Sequence, residues 1–338
     1  MDSTVALCRP KMNRRSMLSV VGTAGLASVA GCTLRNSGSG TDEEQSLSEF
    51  VISATAQDSP EDIERDFAPL AAWIEEETEV PTTIHAVRGD STAINALATG
   101  QSHAAYLRGG PAWVGWQQFG LEPLVFESDA DGNTSYVAAA WIRAESEYTS
   151  VVELEGKDSC HTGDLTGAGM LIPTAHLAHE GAVSFDESDD ITAIRDAVED
   201  FFGNPVVGGG YVGALQCLST GAGDVAFVRK STPADYCDSE DPPDWCLDMD
   251  EYEILEEFAS VPSHPIMASP ELSSEEFSLL QNALLALNDT ADGRDILDEV
   301  LGVAKLKSAS AADHLGEYGG LIEVLPGIED YLIEGDDG

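Results

Sequence analysis

The sequence predicts a two-lobed α/β protein, each lobe a mixed, mostly parallel sheet flanked by helices, with two hinge strands joining the lobes. Three observations predict it. Strand and helix patterns alternate along the chain, one strand-bearing unit occurs twice, and 338 residues suffice for two compact lobes.

The elements follow in order. Residues 33–48 are Ser, Gly and acid with almost no apolar content, which makes a flexible spacer. The fold begins at Phe50-Val51-Ile52-Ser53-Ala54, a strand. Ser59 as N-cap and Pro60 in the first turn start a helix that runs to about residue 77. A strand over 82–87, a helix over 91–97 and a strand over 103–107 come next.

An internal echo then stands out. Ala96-Leu97-Ala98-Thr99-Gly100-Gln101-Ser102-His103-Ala104-Ala105-Tyr106-Leu107-Arg108 reads like Cys217-Leu218-Ser219-Thr220-Gly221-Ala222-Gly223-Asp224-Val225-Ala226-Phe227-Val228-Arg229. Each is a helix end, a Gly turn and a strand with arginine at its carboxyl end. Two copies mean two similar lobes, since a solenoid needs three or more repeats. Ligands of open parallel sheets bind beyond the carboxyl ends of strands, so facing lobes make a cleft that hinge motion closes. The long strand 136–143, after the turn Asp131-Gly132-Asn133, and residues 259–265 of a second extended run are the expected crossings. Lobe 1 is then 49–135 with 266–338, and lobe 2 is 144–258. Helices over 274–287, 293–301 and 321–332 return the chain to lobe 1.

Lys plus Arg number 16 against 61 Asp plus Glu, a formal charge of −45. Such an excess excludes the usual routes to nucleic acid and to anionic membrane surfaces, which need a basic face. Disorder is excluded by a hydrophobic content of 43% in periodic runs. Acid this dense suits very high salt, where screening shortens to a few ångströms and carboxylates still hold water. The composition reads as that of a halophile, and the source expected is a halophilic archaeon.

The start of the chain is the exception. Residues 1–31 carry Arg9, Lys11, Arg14 and Arg15 against Asp2, followed by an apolar stretch ending Val29-Ala30-Gly31-Cys32. The twin arginine resembles the signal of the pathway that exports folded proteins, and Val-Ala-Gly-Cys resembles a lipobox. Residues 1–31 are therefore expected to be a signal and Cys32 a lipidated N-terminus, followed by the linker 32–48. The stretch is too short to span a bilayer comfortably. The expected location is the outer face of the cytoplasmic membrane, with the lipid as the sole membrane contact. Beyond Cys8 and Cys32 an even number of cysteines remains in an oxidising place: Cys160, Cys217, Cys237 and Cys246. Cys237 and Cys246 enclose an acidic, Pro-containing loop and are expected to pair locally. No C-x-x-C pair favours metal.

Several segments together resemble transferrins. Ser159-Cys160-His161-Thr162-Gly163, followed by Gly167, Gly169 and Ile172-Pro173, resembles their anion-binding segment. Gly210-Tyr211-Val212-Gly213-Ala214-Leu215-Gln216-Cys217-Leu218 resembles the segment of their second iron-binding tyrosine. Val261-Pro262-Ser263-His264 resembles that of their iron-binding histidine, and Tyr136-Val137-Ala138-Ala139-Ala140 that of their first tyrosine. More broadly the chain resembles the phosphonate, sulfonate and transferrin class of solute-binding proteins that serve ABC importers, and the region Tyr106-Leu107-Arg108-Gly109-Gly110 resembles that wider class. The resemblance implies the type II periplasmic-binding-protein fold and an ABC permease as partner. It also implies a Cys160–Cys217 disulfide, since both cysteines fall where the family has one.

The first functional expectation is Fe(III) held with a synergistic carbonate or similar anion. Tyr136, Tyr211 and His264 would be the metal ligands, and Arg108, Thr162, Gly163 and Thr166 would hold the anion. Hard Fe(III) prefers anionic oxygen, and Thr162 is expected to open a helix whose free N–H groups favour an anion. Two departures from transferrins bear on this. Thr166 stands where they have an arginine, and Arg108 where they have an aspartate ligand. Fe(III), two phenolates, carbonate and one guanidinium sum to zero charge, so Arg108 would serve for the missing arginine, with water or Asp58 as the last ligand; Tyr106 is a further candidate. The same residues also suit a phosphate or phosphonate with no metal, the second expectation. An enzyme is the third: some proteins of this fold catalyse cofactor synthesis, yet no G-x-S-x-G, H-E-x-x-H or P-loop spacing is present.

Overall fold

In the computed structural model, which describes residues 47–55, 60–239 and 241–334, the first strand, β1 (Phe50–Thr55), buries Phe50, Ile52 and Ala54. The long helix expected next is two helices, α1 (Pro60–Asp66) and α2 (Ala68–Thr78). Pro69, in the first turn of α2, has no N–H to continue the ladder, so the helix breaks there. Then come β2 (Thr82–Val87), α3 (Gly89–Ala98), β3 (Ala104–Tyr106), α4 (Gly109–Phe119) and β4 (Glu122–Ser128). The chain continues as β5 (Ser135–Arg143), β6 (Asp158–His161), α5 (Ile172–His179), α6 (Ala193–Phe201) and β7 (Asn204–Val207). It goes on through α7 (Tyr211–Ser219), β8 (Val225–Arg229), α8 (Thr232–Cys237), β9 (Tyr252–Pro262) and β10 (Pro265–Ala268). Last are α9 (Ser274–Ala286), α10 (Ala291–Ile296), β11 (Lys305–Lys307), α11 (Ala311–Ile322) and α12 (Ile328–Glu334).

Two sheets define two lobes. The first has strand order β11-β4-β10-β3-β1-β2 and the second β7-β6-β8-β5-β9. In the first, β1 is parallel to β2 and β3, while β10 lies antiparallel between β3 and β4. In the second, β6 is parallel to β7 and β8, while β5 lies antiparallel between β8 and β9. The sequence echo is thus a structural one: β3 and β8 occupy equivalent places, each beside an antiparallel strand that enters after the chain has crossed lobes.

The crossings are shorter than the sequence suggests. The whole of β5 pairs with β9 and much of it with β8, so residues 136–143 belong to the second sheet rather than to a hinge. Residues 259–262 end β9 in the same sheet. The chain passes between sheets in residues 129–134 and returns in residues 263–264. Continuous burial fits this: Ala138, Ala139, Ala140, Trp141 and Ile142 are all buried, as in a central strand covered on both faces.

The C-terminal helices also differ from expectation. The helix read over 321–332 is the end of α11 and the start of α12, divided where Pro326 and Gly327 (φ 63°) turn the chain. Nor do they return only to lobe 1. Helix α11 packs on α4 of the first lobe and on α5 and β9 of the second. Its Leu315, Tyr318 and Ile322 share one core with Trp113, Phe126 and Met267 on one side and Ala138, Leu171 and Phe227 on the other. His179 Nε2 donates to the Leu321 carbonyl at 3.0 Å, and Gln118 Nε2 to Glu329 at 2.6 Å. The C-terminal segment is therefore a brace across both lobes.

Both disulfides form. Cys160–Cys217 ties β6 to α7, and Cys237–Cys246 closes the acidic loop after α8. Among the described residues no helix is long and apolar enough to cross a membrane. The signal, Cys32 and the linker up to residue 46 lie outside the described residues.

Two outcomes are expected. A Cβ on Gly319 would lie 1.8 Å from Trp113 Nε1, so Gly319→Ala should overpack the brace and cost about 1–3 kcal/mol, read by chemical denaturation. Replacing Cys160 and Cys217 together by Ala should cost roughly 2–4 kcal/mol, and an unchanged denaturation midpoint would contradict a stabilising role.

Candidate functional site

The parallel strands β3 and β8 end at the edge where the antiparallel strands β10 and β5 begin, so both ends of the echo point at one place. Arg108 follows β3, Arg229 ends β8, Tyr136 is the second residue of β5 and His264 immediately precedes β10. All four line one interlobe cavity of about 830 Å³.

The second lobe supplies an aromatic-cation wall. The Arg229 guanidinium lies 4.1 Å from the Tyr136 ring centroid and 4.8 Å from that of Tyr211, and the two phenol oxygens are 3.5 Å apart. No carboxylate among the described residues pairs with Arg229. Desolvation, then the neighbouring Tyr211, pushes the Tyr136 phenol well above its ordinary range, so it is a neutral donor at neutral pH. Tyr211 opens α7 at the end of a glycine loop and does not itself line the cavity. The loop folds back so closely that a Cβ on Gly213 would lie 1.9 Å from the Gly208 carbonyl oxygen, which fixes where α7 starts.

The anion segment differs in register from expectation. Thr162 does not open a helix. After β6 the chain wraps through Leu165, held in the left-handed region at φ 51°, and the helix starts at Gly167 with a π-type turn that continues into α5. The Thr162 and Thr166 hydroxyls are 2.7 Å apart, and Thr166 Oγ1 also donates to the Gly163 carbonyl at 3.0 Å. Asp164 is engaged by Arg195 at 2.6 and 2.7 Å. Thr166 and Gly167 therefore line the cavity, while Thr162 and Gly163 stand behind them. Behind these, buried His161 donates from Nδ1 to the Gly169 carbonyl at 2.7 Å, and its Nε2 lies 2.8 Å from Ser159 Oγ.

The first lobe supplies a network of its own. Arg108 binds buried Asp90 at 2.6 and 2.8 Å. Tyr106 donates to Glu127 and lies 3.0 Å from His264 Nδ1, with Glu127 3.8 Å from the same nitrogen. Desolvation lowers the His264 pKa, opposed by Glu127 and helped by Arg108. Glu127 lines the cavity and Tyr106 lies one layer back. Among the described residues no three His, Cys, Asp or Glu side chains group to hold a metal ion. Asp58 lies outside the described residues.

Sequence reasoning missed Arg229, Glu127, Tyr318 and Tyr331, all of which line the cavity. The echo carried the signal for Arg229, since it makes Arg229 the counterpart of Arg108. Nothing local marks Tyr318 or Tyr331, which reach the cleft only because the C-terminal brace crosses it.

The profile of the family described as "ABC transporter, phosphonate, periplasmic substrate-binding protein" matches residues 52–314. Ovotransferrin of Gallus gallus is 34% identical over 192 residues, 48% of this chain and 26% of that protein. Melanotransferrin of Homo sapiens is 30% identical over 217 residues, 53% of this chain and 29% of that protein. The alignments thus span under a third of the length of these relatives. Among solved structures, XAC2383 from Xanthomonas citri bound to ATP has a TM-score of 0.58 at 15% identity, covering 82% of this chain and 98% of that one, a likeness of fold.

Burial lowers the pKa of His103, His161, His264 and His314 alike. The unfolded chain then takes up protons first, so stability is full above about pH 6.5 and falls as pH drops below it. Denaturation at constant salt should give a lower unfolding free energy at pH 5.5 than at 7.5, with a smaller loss in His264→Gln. Equal values at the two pH values would refute the assignment.

Proposed function

The chain belongs to the family of periplasmic substrate-binding proteins of phosphonate ABC transporters, and from that premise we propose that it captures a phosphonate or phosphate oxyanion, without metal, in the interlobe cleft and delivers it to an ABC permease. The observation that carries this reading is Arg229. In a chain with 61 acidic residues, this cation faces the cavity with phenol rings rather than a carboxylate for company. A partly desolvated guanidinium with no anionic partner attracts an anion strongly. Neutral Tyr136 and the N–H groups where the Gly167 turn begins are further donors to oxyanion oxygens. Arg108, from the opposite lobe, would help hold the lobes closed around the ligand.

Family membership implies an extracytoplasmic location and a binding rather than a catalytic role. Retention at the membrane through lipid on Cys32, after twin-arginine export, completes the proposal. Cys32→Ser should release the protein into the medium, and full retention of that variant would exclude the anchor.

A second reading has its own support. The phenol oxygens of Tyr136 and Tyr211 are 3.5 Å apart, His264 lines the same cavity, and transferrins are among the sequence relatives of the chain. Fe(III) with carbonate would use these groups as phenolate and imidazole ligands, at the cost of expelling protons from phenols that burial holds neutral.

Calorimetry in high salt separates the two. Under the oxyanion reading, a phosphonate binds the colourless apoprotein, and Arg229→Gln weakens it about 10–100-fold, the loss of a charge-assisted contact. A visible phenolate-to-iron band that requires bicarbonate and disappears in Tyr211→Phe, with no binding of phosphonate or phosphate, would replace it with the iron reading.

A further inference from the structure

Tyr318 lies on α11, outside every segment that the sequence marks for ligand binding. Only 4% of its surface is exposed, yet it lines the cavity, and among the described residues its hydroxyl has no hydrogen-bond partner. Buried tyrosine hydroxyls are nearly always partnered, so this one calls for an explanation. Its position differs from that of Trp141 Nε1 and His314 Nε2, the sealed unpartnered atoms elsewhere in the described residues, because it opens onto the cleft. Burial raises its pKa, and it is close enough to Tyr136 on β5 and Tyr331 on α12 to interact with both electrostatically. The hydroxyl is therefore a protonated donor set beside the Arg229–Tyr136 wall.

The lining around it is not that of a site for a bare inorganic anion. Leu171 reaches the cavity from the second lobe, Val303 from the loop before β11, and Leu332 from α12. The volume, about 830 Å³, falls in the range of pockets that hold organic molecules of drug size. A tetrahedral anion bound at Arg229 would fill only part of it.

We propose that Tyr318 donates a hydrogen bond to the bound anion and that the C-terminal brace seats an apolar substituent through Leu332, so that the ligand is an organophosphonate with a bulky apolar group. The inference rests on the oxyanion reading and adds to it a ligand-contacting residue and a substrate class. It makes the brace part of the binding site: ligand contacts with Tyr318 and Leu332 draw on the element that packs against both lobes.

The test compares phenylphosphonate, methylphosphonate and inorganic phosphate by calorimetry on the full chain, in one high-salt buffer, for the unaltered protein, Tyr318→Phe and Leu332→Ala. Phenylphosphonate should bind at least tenfold more tightly than phosphate. Tyr318→Phe should weaken all three about tenfold, the worth of one hydrogen bond to a charged group. Because the lost oxygen has no protein partner, the melting temperature of the ligand-free variant should stay within about a degree of the original or rise. Leu332→Ala should weaken phenylphosphonate and leave phosphate unchanged. Equal affinity of Tyr318→Phe and the unaltered protein overturns the donor role. Phosphate binding as tightly as phenylphosphonate overturns the organic substrate class while leaving the oxyanion reading intact. If none of the three anions binds the unaltered protein, the oxyanion reading fails and the inference fails with it.

Discussion

The cleft depends on one constraint of chain direction. In each sheet the echoed parallel strand ends where an antiparallel neighbour begins, because that neighbour has just arrived from the other lobe. Arg229, opposite Ala138 in the ladder, thereby lies close to the start of β5 and Tyr136. Leu107 donates to the Pro265 carbonyl at 3.0 Å, which sets Arg108 next to His264. Four side chains separated by up to 156 residues thus share one cavity without any long loop having to carry them there. The crossings are only a few residues long, so movement of one lobe against the other would have to be absorbed in residues 129–134 and 263–264.

Charge is distributed against the grain of the composition. The exterior is dense with carboxylates, which suits solvation in strong salt, whereas the cleft wall in lobe 2 presents a cation stacked on two phenols. The acids that do reach the cavity include Asp164, held by Arg195, and Glu127, held by Tyr106. Desolvation governs what such a site favours. It keeps Tyr136, Tyr106 and Tyr318 protonated, which suits them as donors to an anion and makes any metal compete with protons for the same oxygens.

The C-terminal helices connect stability with the site. A core that runs from Phe126 through Leu315 and Tyr318 to Phe227 has no boundary at the lobe interface. The same helices present Tyr318, Tyr331 and Leu332 to the cavity, so one segment both joins the lobes and forms part of the wall. Close packing of Gly319 on Trp113 leaves α11 little freedom to shift independently of α4.

Much of the fold could be read in the sequence because local rules fix it. The alternation of apolar runs gave β1, β2 and β5, the Gly turns of the echo gave two equivalent strands, and the count of cysteines in an oxidising setting, together with the family resemblance, gave both disulfides. The breaks at Pro69 and at Pro326-Gly327 were also written in the chain, though a helical pattern on either side hid them. What tertiary structure alone decided is which side chains meet. Periodicity shows that residues 136–143 form a strand but not which sheet holds it, since that depends on hydrogen bonds to β8 and β9 far along the chain. Similarity of segments pointed to Thr162, yet a left-handed turn at Leu165 moves the helix start and presents Thr166 instead. Tyr318 carries no local mark at all: its role comes from a helix that crosses both lobes, and contact between residues so distant in sequence is settled by packing rather than by pattern.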